Sequence, residues 1–195
     1  MEARGNDPTY PAQGNNFVRS TLNYGIFDTL QTHIIGWYQQ KRFTYADDFH
    51  IFSLEWSPSF IRTYVDSRLQ ATLTIDITGK GGHDFFDRGH YPATAQNNSE
   101  TATVVQNIWE QAGGTPAAPF DKPFFLILDL AVGGTSGWFP DGVGGKPWFD
   151  ASGDQRALWD FANAQKNWSQ TWPSSDSDRA FRMWVSLFLR CGDVC

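Results

Sequence analysis

Cysteine is almost missing from this 195-residue chain: there are two, Cys191 and Cys195, both among the last five residues. A lone pair has too few ligands for a structural zinc site, and a disulfide between them would close a very short loop. No apolar run approaches the eighteen or so residues of a membrane span. Positive charge is also scarce, with 15 Lys and Arg against 21 Asp and Glu and a net charge of −6. There is no basic stripe, so nucleic acid is not an expected partner, and without a long apolar run neither is a membrane. Repeats, low-complexity tracts and linkers are lacking, and the length suits one domain with a substantial core. No signal-peptide pattern is read in this sequence, so it is expected to carry no export signal of its own.

Aromatic residues are abundant: nine Trp, six Tyr and sixteen Phe. Such rings suit the pleated core of a β-protein. They also stack on the apolar faces of pyranoses, a role better matched to rings in Gly-rich loops. The sequons Asn97-Asn98-Ser99 and Asn167-Trp168-Ser169 fit a secreted protein.

Strand patterns recur along the chain. Phe17–Tyr24 alternates, with Phe17, Arg19, Thr21 and Asn23 on one face. Phe49–Trp56 places His50, Phe52, Leu54 and Trp56 on one apolar face, which predicts core positions for His50 and Trp56. Ser57-Pro58 then marks a turn into Phe60–Val65. Ala71–Ile77 and Phe181–Leu189 are further strands. Phe124–Val132 is nearly all apolar, as in a strand buried on both sides. Ser152–Trp168 reads as the one helix, with Leu158, Phe161 and Gln165 at helical spacing. Many short strands, turn-rich loops and little helix predict an all-β sandwich or jelly roll.

Three segments carry a family likeness: Met1-Glu2-Ala3-Arg4-Gly5-Asn6, Phe49-His-Ile-Phe-Ser-Leu-Glu-Trp56 and Leu126-Ile-Leu-Asp-Leu-Ala-Val-Gly-Gly134. Together they resemble the C-terminal portion of a glycoside hydrolase family 16 domain of the fungal laminarinase-like β-glucanases. That implies a concanavalin-like β-sandwich with its N-terminal strands missing. Residues 1–184 would be the partial domain and 185–195 a divergent tail. A dozen or more strands are expected of such a sandwich, against six or seven here, so unpaired edges and an uncovered apolar face should follow.

The resemblance aligns Glu2 with the last acid of a Glu-x-Asp-x-x-Glu strand, the general acid/base. Retaining hydrolysis needs a second carboxylate, the nucleophile, roughly 5–5.5 Å away. No residue here aligns with it. Asp47-Asp48 are adjacent and face opposite ways in a strand, Glu55 has no acid two or four residues on, and Asp176 and Asp178 sit in a Ser-rich loop. The chain by itself is therefore expected not to hydrolyse glucan. Arg4 and Asn6, after the acid/base, would shape the cleft floor. Asn23 stands where relatives often carry His, beside the acid/base. Trp138, in the Gly-rich loop after the long apolar run, would stack on sugar. Asp129 replaces a common Asn. No cofactor is implied. Some family members bind a structural calcium, but the divergent tail leaves no identifiable ligand for it. The implied partner is β-glucan polysaccharide or oligosaccharide, the implied location is secreted or cell wall, and the complete protein would be a monomer. A non-catalytic β-1,3-glucan-recognition module is the alternative.

Overall fold

A computed structural model describes residues 1–97, 101–170 and 172–183. Among the described residues, eight strands, all in antiparallel sheets, dominate the first 104, and the helices are short. The chain divides into two compact units. One holds residues 1–9 and 13–125, and the other holds 10–12 and the chain from 126 onward.

The first unit is a two-sheet sandwich. One sheet runs in the order β1 (Glu2–Ala3), β2 (Phe17–Gly25), β3 (Gln31–Gln39). The other runs β4 (Phe52–Trp56), β5 (Phe60–Val65), β6 (Ala71–Asp76). Alternation decides which side chains go inward. Val18, Ser20 and Tyr24 of β2 are buried, whereas Asn23 is exposed. On β5, Ile61, Thr63 and Val65 are buried. The sheets meet where Ser20, Thr63 and Thr72 join their hydroxyls at 2.7–2.8 Å. A register shift at Thr63/Tyr64 lies beside this junction. Gly36, the cross-strand partner of Ser20, is the closest approach: a Cβ there would sit 1.8 Å from the Thr72 carbonyl oxygen.

The main core lies toward one end of the sandwich. Tyr24 packs edge-on against Phe85 (5.1 Å between ring centroids) and lies near Trp109 and Phe120. Ile61, Leu73, Ile75 and Ile77 complete the cluster. Phe85 is fully buried, a burial that contributes about 2–3 kcal/mol. It opens helix α1 (Phe85–Gly89), capped by Asp84, which accepts the Asp87 amide at 2.8 Å. A third, two-stranded sheet pairs β7 (Thr94–Gln96) with β8 (Ala102–Val104), and α2 (Ile108–Gln111) follows.

The β4–β5 hairpin forms as expected. The Ser57 hydroxyl accepts the amides of Ser59 and Phe60 and closes the turn at Ser57-Pro58. The strand, however, begins at Phe52 rather than Phe49. His50 instead turns to Asp66, with Nδ1 2.8 Å from Oδ2. Trp56 is not core. Phe52, Leu54 and Trp56 lie opposite Val65, Thr63 and Ile61 yet are exposed. β4 is a sheet edge with no further strand beside it among the described residues. The expected uncovered apolar face is here.

The strand expected to be buried on both sides is absent. Phe124–Val132 has no strand assignment, and Phe125 and Ile127 are 96% and 81% exposed. An apolar run becomes a buried strand only when neighbours pair both of its edges. Among the described residues no strand pairs with it. Asp129 is accordingly exposed rather than buried.

In the second unit the single predicted helix is two, α3 (Asp154–Asn163) and α4 (Gln165–Trp168), parted at Ala164. The break lets Trp168 fold back: its ring stacks on Phe161 at 4.6 Å and its Nε1–H donates to the Phe161 carbonyl at 2.8 Å. Leu158 is exposed, and Ala157 is the buried residue of α3. Trp148 packs edge-on against Phe161 at 5.3 Å. A four-residue helix, α5 (Asp176–Arg179), ends the described elements, so helix is distributed over several short pieces. Cys191, Cys195, the tail 185–195, most of the predicted strand Phe181–Leu189 and two residues of the Asn97 sequon lie outside the described residues.

Candidate functional site

The outward face of the first sheet gathers most of the polar candidates. In β1 and β2, Glu2 lies directly across from Arg19, and Arg19 lies across from Trp37 of β3. Partners directly opposite share a face. One row therefore reads Glu2, Arg19, Trp37. Arg19 Nη2 donates to Glu2 Oε2 at 3.3 Å in an exposed ion pair. Such a pair contributes little to stability, but it fixes where the carboxylate sits. Trp37 is 61% exposed although it belongs to a nine-residue strand.

A second row pairs Asn23 with His33, Oδ1 to Nδ1 at 2.6 Å. Thr21 and Ile35 lie between the rows. Arg19 and Asn23 are four residues apart on one strand, which sets the rows roughly 13 Å apart. Asn23 therefore does not adjoin Glu2, contrary to expectation; its neighbour is His33. Glu2 is the one acid in the three strands. That face thus has one carboxylate and no companion for it within the sheet.

The remaining candidates separate. Arg4 is buried, and its Nη1 donates to the Gln13 carbonyl at 3.3 Å, which braces the loop after β1. Asn6 is half-buried, and its carbonyl accepts the Asn15 amide at 2.6 Å. Trp138 belongs to the second unit, in a loop described below. Glu55 is a structural acid. It accepts from Tyr64 at 3.1 Å and from Arg68 Nε at 2.7 Å, with Arg62 at 3.4 Å. Burial works against its charge, but these donors hold its carboxyl below the usual range.

Arg19, His33 and Trp37 were not singled out from the sequence. β3 carries apolar residues on both faces, which blurs its alternation. The turn ahead of it, closed by the Leu30 amide on the Phe27 carbonyl at 2.9 Å, was the available signal. Among the described residues no three His, Cys, Asp or Glu side chains converge where a metal ion could be held. Nor is any helix among them long and apolar enough to cross a membrane.

Two packed antiparallel sheets, with an outward face that sets an exposed indole and a carboxylate on either side of Arg19 and an amide–imidazole pair farther along, define a β-sandwich of the kind that presents a polar-aromatic surface. Residues 1–116 match the Glycosyl hydrolases family 16, and the chain belongs to that family. It is 37% identical over 180 residues to a beta-1,3-glucan-binding protein of Penaeus monodon, covering 90% of this chain and 43% of that protein. It is 30% identical to the glucan endo-1,3-beta-glucosidase A1 of Niallia circulans over 69% of this chain and 14% of that protein. It is also 30% identical to the Gram-negative bacteria-binding protein 1 of Drosophila melanogaster, over 70% of this chain and 23% of that protein. The chain thus spans less than half the length of each of these relatives. No solved structure matches it.

Proposed function

We propose that this chain recognises β-1,3-glucan through the outward face of β1–β2–β3 and, by itself, does not cleave it. The observation that carries the reading is the row Glu2–Arg19–Trp37, an exposed indole in register with a single carboxylate. An indole offers a flat apolar surface to a pyranose, and Arg19, Asn23 and His33 offer hydrogen bonds to its hydroxyls. Double displacement needs two carboxylates, and this sheet supplies one. The relatives named for β-1,3-glucan binding support the ligand. Arg4 and Asn6 shape the loop beside Glu2, and Trp138, in the second unit, is a stacking ring in its own right. The protein acts outside the cell or at the cell wall, as a monomer.

The test is titration of the purified chain with laminarin, a soluble β-1,3-glucan. Trp37→Ala weakens binding about tenfold, the usual loss for a central aromatic anchor, while Trp56→Ala, on the other sheet, leaves it unchanged. Equal affinity in Trp37→Ala and wild type would sink the assignment.

A second reading is favoured by one observation: Glu2 lies on that same outward face. In a longer protein whose additional strands brought a nucleophile, Glu2 would serve as the acid/base of a retaining, laminarinase-like hydrolase. Loss of laminarin hydrolysis in Glu2→Gln of such a protein tests it.

A further inference from the structure

The loop 133–145 is built to move, yet it is held still. Six of its glycines have positive φ, and a run of such residues fixes little by itself. What fixes it is charge. The Lys146 side chain is 3% exposed, and its ammonium donates to the Phe139 carbonyl at 2.8 Å, to Asp141 Oδ1 at 2.6 Å and to Asp150 Oδ1. All three of its donors are used. Asp150 Oδ2 accepts the Gly137 amide at 3.0 Å, and the Asp150 amide donates to Asp141 at 3.1 Å. The Trp148 Nε1–H closes the near end of the loop on the Gly134 carbonyl at 2.7 Å. At the far end Tyr10 packs on Gly144 so closely that a Cβ there would lie 2.4 Å from its ring. Gly137 and Phe139, the two residues pinned by Asp150 and Lys146, are the neighbours of Trp138.

We propose that Lys146 is a positioning residue: with Asp150 it fixes the backbone on both sides of Trp138 and so sets the indole that stacks on β-glucan. The inference rests on the glucan-recognition reading above. A buried ammonium is tolerated only when paired, and here two carboxylates meet it. Hydrogen bonding from Lys146 holds the Asp141 carboxyl below its ordinary range. Burial works against the Lys146 charge, and the two aspartates outweigh it and raise its pKa. Lysine suits the place because it sends three donors in separate directions, whereas arginine presents a planar fork.

The test labels the chain with 5-fluorotryptophan and follows the Trp138 fluorine line, identified by its loss in Trp138→Phe. In Lys146→Met that line shifts or broadens, along with that of Trp148, whose ring lies 5.3 Å from the ammonium. The lines of Trp37 and Trp56 stay put. Lys146→Arg keeps the charge but not the geometry and shifts the Trp138 line too, which covers the case in which Lys146→Met does not fold. In laminarin titrations Trp138→Ala and Lys146→Met each lose about tenfold, and the double variant loses no more than either alone, as residues acting through one another should. An unmoved Trp138 line, or losses that multiply in the double variant, overturns the proposal. If the wild type binds no laminarin, the recognition reading falls, while the fluorine line still decides whether Lys146 positions the indole.

Discussion

Gly36→Ala should be among the most damaging small substitutions in the sandwich. A Cβ at residue 36 would lie 1.8 Å from the Thr72 carbonyl oxygen, and real Cβ atoms essentially never come within 3.0 Å of a neighbour. The sheets must part by about 1 Å to admit the methyl, because packed interiors have no slack of that size. Ser20, the cross-strand partner of Gly36, shares the hydroxyl junction with Thr63 and Thr72 at 2.7–2.8 Å. Parting the sheets by that much takes the two bonds of Ser20, to Thr63 and to Thr72, beyond useful length. At about 1 kcal/mol for each of the two the loss is about 2 kcal/mol, a substantial share of the usual 5–15 kcal/mol of a domain. Urea denaturation of the first unit, followed by tryptophan fluorescence, reads it as a lower midpoint. Gly5→Ala is the control: nothing lies within 4 Å of its added Cβ, so it should stay within about 0.5 kcal/mol of wild type. If Gly36→Ala matched Gly5→Ala, the sheets would not be in contact where they are described.

Two other predictions concern the core and the surface. Tyr24 is buried, with no hydrogen-bond partner for its hydroxyl among the described residues, so Tyr24→Phe should be neutral or stabilising by about 1 kcal/mol. Burial raises the Tyr24 pKa from 10.0 to about 12. The folded state thus prefers the neutral phenol, and the associated stability is complete below pH 10 and lost as pH rises toward 12. Tyr24→Phe should flatten that part of an alkaline denaturation profile. Ile127, 81% exposed in the apolar run, should accept Lys with stability changed by less than about 0.5 kcal/mol. Ile127→Lys should also reduce self-association in sedimentation velocity, since exposed apolar segments promote it; unchanged association would count against the run being exposed.

Local pattern reached the elements whose partners are near in sequence. β5 alternates cleanly, and Ser57-Pro58 marks the turn that joins it to β4. Alternation put Asn23 on one face with Arg19 and Thr21, and resemblance alone picked out Glu2. β3 was missed because Ile34 and Ile35 point to opposite faces and Gly36 breaks the pattern, although Gly36 is the residue that lets the sheets touch. Missing β3 also hid His33 and Trp37, which join the candidate face only because register sets them against Asn23 and Arg19. The run Phe124–Val132 misled for a different reason. Its composition states what it would bury against, not whether the neighbour is present. Arg4 looked like a cleft residue, but a guanidinium that reaches a carbonyl nine residues along the chain is a fact of the fold, not of the local sequence. The Lys146 cluster was invisible for the same reason.

The central claim, recognition without cleavage, is tested most directly by adding laminarin to the purified 195-residue chain and measuring bound glucan and released reducing ends in one sample. The account predicts saturable binding, with reducing ends no higher than in a Glu2→Gln control. Release of reducing ends that depends on Glu2, or no binding at all, would contradict it.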